Sequence, residues 1–182
     1  MEIGLLDVDS HNFPNLVLMK ISAYHKANGD NVEWLFPLKH YDIVYVSKVF
    51  GDEYTKMGME VIQADKIING GTGFAIKIVD GKEEYEKTND GELPYEIEHI
   101  YPDYELYPEL TKDKAYGFLT RGCPNKCSFC CVWKKEGPFK MKGDTIFDLE
   151  KRFEFEDVRI AQGKSITNKE FFDELKKGGA EE

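Results

Sequence analysis

The chain has 182 residues, of which 41% are hydrophobic and 13% aromatic, with a formal net charge of −10. That length and apolar content suit one domain or two small ones with a real core, and they exclude a disordered or fibrous chain. The negative charge excludes nonspecific binding to nucleic-acid phosphates, which needs clustered lysine and arginine.

Met-Glu-Ile-Gly-Leu-Leu-Asp at the start has no basic segment and breaks its apolar run at Asp7, unlike a signal peptide. No apolar stretch reaches the ~18 residues of a membrane span. The expected compartment is therefore cytoplasmic, where clustered cysteines serve metal binding or redox chemistry more than disulfides.

Residues 2–8 are mostly apolar, as in a buried strand. Asp9-Ser10-His11-Asn12 offers turn and cap chemistry before Pro14, a favoured first helical residue. Leu16, Met19 and Tyr24 then lie on one face of a helix to about Asn28, closed by Gly29. Residues 32–36 and 42–46 read as further strands, and 58–62 as another. Strand–helix–strand at this spacing predicts an α/β fold with a Rossmann-like parallel sheet over residues 1–79. Gly70-Gly71-Thr72-Gly73 lacks the following Lys-Ser/Thr of a phosphate loop and reads as a tight connection.

Residues 80–114 form an acidic, Tyr/Pro-rich linker with Tyr85, Tyr95, Tyr101, Tyr104 and Tyr107 and prolines 94, 102 and 108. It reads either as a solvated loop or as a recognition surface. In the second case spaced carboxylates imitate a phosphate backbone and tyrosines anchor in a basic protein or ribonucleoprotein groove.

Residues 115–182 contain the cysteines. All four fall within Arg121-Gly122-Cys123-Pro124-Asn125-Lys126-Cys127-Ser128-Phe129-Cys130-Cys131. Three thiolates on one short loop can converge on a single metal centre. Residues 121–142 hold Arg121, Lys126, Lys134, Lys135, Lys140 and Lys142 against the single acid Glu136, a basic collar suited to an anionic cluster. Zinc is less favoured, because four-cysteine zinc sites come as two separated pairs and Cys130 and Cys131 are adjacent. Residues 115–120 read as the strand delivering the loop. Beyond it, 146–153 reads as a helix, 157–161 as a strand, and a terminal helix begins at 167.

Cys123-x3-Cys127-x2-Cys130, with aromatic Phe129 before the third cysteine, resembles the cluster loop of the radical S-adenosylmethionine (radical SAM) enzymes. The resemblance implies that Cys123, Cys127 and Cys130 hold three irons of a [4Fe–4S] cluster. It also implies that S-adenosylmethionine binds the fourth iron, with Phe129 as a cofactor-binding residue against the adenine. The N-terminal half, from Ile3-Gly4-Leu5-Leu6-Asp7-Val8-Asp9 to Gly70-Gly71-Thr72-Gly73, resembles the leader domain of small phage and gut-bacterial radical-SAM-like proteins. In that family the loop follows the first strand of a partial (β/α)6 barrel. The residues after Cys130 suffice for only one or two βα units of about 30 residues, so a truncated barrel remnant is expected.

Two functions follow from this departure. The favoured one is a catalytically incomplete radical-SAM-like protein acting as an acidic binding module or inhibitor, similar in size and charge to phage-encoded anti-CRISPR proteins. The alternative is a radical SAM enzyme cleaving S-adenosylmethionine reductively, with a homodimer or second chain supplying the walls that exclude water. Asp9-x-His11 also resembles the Asp-x-His of cobalamin-binding domains, but Pro14 stands where that motif has glycine. Helix capping and loop chemistry account for both residues more simply.

Overall fold

A computed structural model describes residues 1–58, 61–87, 90–112, 114–118, 120–128 and 130–141. Its centre is a four-stranded parallel sheet of β1 (Glu2–Asp7), β2 (Asn31–Trp34), β3 (His40–Ser47) and β4 (Gln63–Gly70), in the order β2-β1-β3-β4. Together with the helices this makes an α/β fold. Ile3 of β1 pairs with Val32 on one side and Ile43 on the other, which places β1 at the point where the strand order reverses.

Both faces of β1 are apolar, as a central parallel strand requires. Ile3 and Leu5 are fully buried with Leu18 and Ile21 of helix α1 (Leu16–Ala27). Each such side chain contributes roughly 1.5–3 kcal/mol when removed from water. Tyr41, Val44 and Val46 form the core on the opposite face, with Leu6, Val8, Leu35 and Phe74 packed against them. Gly4 makes room there, since a Cβ would lie 3.0 Å from Val44 and 3.2 Å from the Tyr41 ring.

Helix α1 begins at Leu16, two residues beyond Pro14. Asn15 is its N-cap, accepting the Leu18 N–H through Oδ1 at 3.2 Å, so neither Pro14 nor the 9–12 turn caps it. The buried His25 on α1 is held by Asp30 at 2.7 Å and by the Tyr45 hydroxyl at 3.0 Å. Residues 40–47 and 31–34 confirm two expected strands. The strand expected over 58–62 instead begins at Gln63, and Ile62 packs on the core as a loop residue. Met59 and Glu60 lie outside the described residues.

Gly70-Gly71-Thr72-Gly73 is a tight connection, from β4 into helix α2 (Thr72–Ala75). Gly71 has φ 102°, and a Cβ there would lie 2.3 Å from the Lys48 carbonyl oxygen. Two antiparallel strands follow, β5 (Ile76–Val79) and β6 (Lys82–Tyr85).

The acidic segment comes next, with helices α3 (Tyr95–Glu98) and α4 (Pro108–Thr111) flanking a 3-10 turn at Tyr104–Leu106. Much of it packs on the sheet layer. Ile97 is in the α1 core cluster, and Tyr104 and Thr111 are buried. Asp103 donates its N–H to the Met19 carbonyl at 3.0 Å and accepts from Ser22 Oγ at 2.6 Å. The Tyr107 hydroxyl donates to Asp7 at the end of β1, and Trp34 meets the Tyr107 ring edge-on at 5.1 Å.

Among the described residues no helix is long and apolar enough to cross a membrane. The elements expected over 146–153, 157–161 and from 167 lie outside the described residues.

Candidate metal centre on the cysteine loop

The cysteines sit in a small hairpin. Strand β7 (Thr120–Arg121) pairs antiparallel with β8 (Lys140–Met141), and helix α5 (Val132–Glu136) lies between them. Of the strand expected over 115–120, residues 115–118 lie outside any strand and Thr120 belongs to β7. Tyr116 explains part of this, because its backbone is taken up elsewhere. Its N–H donates to the Tyr104 hydroxyl at 3.2 Å, and its carbonyl accepts from the same hydroxyl at 3.3 Å. Leu119 lies outside the described residues.

Gly122 and Glu136 fix the entry to the loop. Gly122 has φ 79°, and a Cβ there would sit 2.1 Å from the Pro138 carbonyl oxygen, so only glycine suits this crossing. Glu136 accepts the Gly122 N–H at 2.9 Å and the Arg121 guanidinium at 3.0 Å. Burial by itself would raise the Glu136 carboxyl, but the Gly122 bond and the Arg121 charge outweigh it and hold the group below its ordinary range. Cys123 donates its N–H to the Gly137 carbonyl at 3.3 Å, tying the first cysteine to the far side of the hairpin.

The hairpin is fastened to the sheet by Lys135. Its ammonium donates to Thr72 Oγ1 of α2 and lies 3.4 Å from Asp90. Asp90 also accepts the Tyr85 hydroxyl at 2.8 Å. Burial, then the Asp90 carboxylate, push that phenol well above its ordinary value. Cys130 and Cys131 line a small cleft with Ile76, Glu84, Tyr85 and Lys134. The cysteine hairpin therefore abuts the β5–β6 pair and the corner after β4.

Arg121, Lys126 and Lys135 of the expected basic collar have other partners, and Lys142 lies outside the described residues. Arg121 stacks on Phe118 at 3.8 Å as well as binding Glu136, and Lys126 lies 4.2 Å over the Trp133 ring. Lys134 is the cation that shares the cleft with Cys130 and Cys131.

Cys123, Cys127 and Cys130 are free thiols, Cys127 exposed and the other two partly buried. In kind they fit an iron–sulfur cluster, which takes thiolate ligands. Among the described residues no group of three or more His, Cys, Asp or Glu side chains is gathered as a metal site. Phe129, expected against an adenine, lies outside the described residues. Sequence reasoning missed Glu136, for which no spacing signal exists. Gly122 was also missed; its signal is a glycine directly before the first cysteine, the residue type that takes a positive φ.

The end of the parallel sheet is the other place where α/β folds bind ligands. Here its polar groups are engaged with one another. Asp9 accepts from Val49 and Phe50 N–H at 2.7 and 2.9 Å, and Asn15 Nδ2 donates to Ser47 and Ser10 at 2.8 and 3.1 Å. Asp9 is thus a loop-holding residue, and His11 is exposed. No protein-family model, curated protein or solved structure matches the chain.

Proposed function

We propose that this chain is a catalytically incomplete radical-SAM-like protein that works as an acidic binding module, docking on a basic protein or ribonucleoprotein surface as an inhibitor of the anti-CRISPR type would. The observation that carries the reading is the footing of the acidic segment. Glu84, Glu96, Glu105 and Glu109 are exposed, while Ile97, Tyr104 and Asp103 anchor the same segment to α1. Tyr95, 72% exposed and stacked on His99 at 4.0 Å, adds a ready aromatic contact. Such a surface meets a cationic groove with little left to order. Reversing Glu96, Glu105 and Glu109 to lysine is expected to abolish salt-sensitive binding to a basic ribonucleoprotein. Serine at Cys123, Cys127 and Cys130 is expected to leave that binding intact. Loss of binding in the serine variant alone would sink the reading.

The cysteine spacing favours one second reading, a [4Fe–4S] radical SAM enzyme. Anaerobic reconstitution followed by S-adenosylmethionine cleavage under reductant would establish it in place of the first.

A further inference from the structure

We infer that Cys127 and Cys130 are a reversible dithiol–disulfide pair, a redox site independent of whether the loop ever carries metal. Cys130 donates its backbone N–H to the Cys127 carbonyl at 3.2 Å. A turn closed by that bond holds its end Cα atoms within about 7 Å, and a disulfide bridges Cα atoms about 4.4–6.8 Å apart. The separation of the two ends overlaps the range that a disulfide spans. The backbones of the other two cysteines are tied elsewhere: Cys123 N–H donates across the hairpin to the Gly137 carbonyl at 3.3 Å, and the Cys131 carbonyl accepts Lys135 N–H at 2.9 Å in α5.

Accessibility orders the two steps. Cys127 is exposed and Cys130 half-buried beside a cleft lined by Tyr85 and Lys134. The oxidant is a small-molecule disulfide. The Cys127 thiolate attacks one of its sulfurs, that S–S bond breaks, a mixed disulfide forms, and one small thiolate leaves. Cys130 sulfur then attacks Cys127 Sγ, forming the Cys127–Cys130 bond and expelling the second small thiol. Two protein thiols lose two electrons and two protons, and the oxidant gains them as two thiols.

The full-length, chelator-treated protein is equilibrated with oxidised and reduced glutathione, then assayed by thiol titration and peptide mass mapping. The expected result is a fall from the four thiols of the sequence to two, with the bond mapped to Cys127–Cys130 and reversed by reduced glutathione. Cys123→Ser should keep the bond, whereas Cys127→Ser and Cys130→Ser should each lose it with an unchanged circular dichroism spectrum. A bond mapped to Cys123 or Cys131, an intermolecular disulfide, or retention of all four thiols would overturn the inference. None of these outcomes depends on partner binding, so the proposed function stands or falls separately.

Discussion

Replacing Gly122 with alanine tests whether the cysteine loop depends on its hairpin crossing. Two terms add. A left-handed backbone costs a residue with a Cβ roughly 1–2 kcal/mol, and Gly122 has φ 79°. The new Cβ would also lie 2.1 Å from the Pro138 carbonyl oxygen and 2.8 Å from that of Gly137, and both are backbone atoms. Relief requires the strands to part and the Cys123–Gly137 bond to break, a net loss of about 0.5–1.5 kcal/mol. The total of about 1.5–3.5 kcal/mol corresponds to hairpin opening favoured roughly 10- to 400-fold. Amide hydrogen exchange followed by mass spectrometry reads this directly. Peptides covering 120–123 and 136–141 should exchange faster by that factor, while those covering β1 and β3 keep their rates. Gly137→Ala is the comparison: at φ 74° and ψ −151° the backbone term of about 1–3 kcal/mol applies, but nothing lies within 4 Å of its Cβ, so the clash is absent. Unchanged exchange at 120–123 and 136–141 in Gly122→Ala, or acceleration spread through the sheet, would refute the reasoning.

The remaining predictions concern one ion pair and one cap. Because the folded Glu136 carboxyl sits below its ordinary value, its contribution is fully present above the unfolded value of about 4.5 and fades as pH falls through the folded one. Protection of the hairpin amides should therefore drop on acidification below about pH 4.5, and Glu136→Gln should flatten that pH dependence. Asn15→Ala removes the α1 cap and the donor to Ser10 and Ser47, so urea denaturation should report a loss of about 1–2 kcal/mol. Asn15→Asp keeps the cap oxygen and should recover part of it.

Several features were legible because single residues dictate them. The apolar run at 2–8 admits a buried strand, and Gly29, at φ 80°, ends α1 where the sequence placed the stop. Gly71 could be read as a tight connection for the same reason. β4 starts later than the expected 58–62 because it lies at the sheet edge with Gln63, Asp65, Lys66, Ile67 and Asn69 all exposed, which erases the alternation that marks a half-buried strand. The packing of the acidic segment was hidden because its anchors, Ile97 and Tyr104, stand singly among carboxylates. At the candidate site the ligand types could be read from spacing. Their relative placement could not, since it rests on long-range contacts such as Lys135 with Thr72 and Glu136 with Gly122.

The bond from Asp103 to Met19 has a consequence for how any partner would recognise this molecule. A tether that swings freely offers only its total charge, so rearranging its acids would change nothing. A segment stapled to a helix offers coordinates instead, and a cationic groove matched to it would discriminate between two chains of identical composition and different acid order.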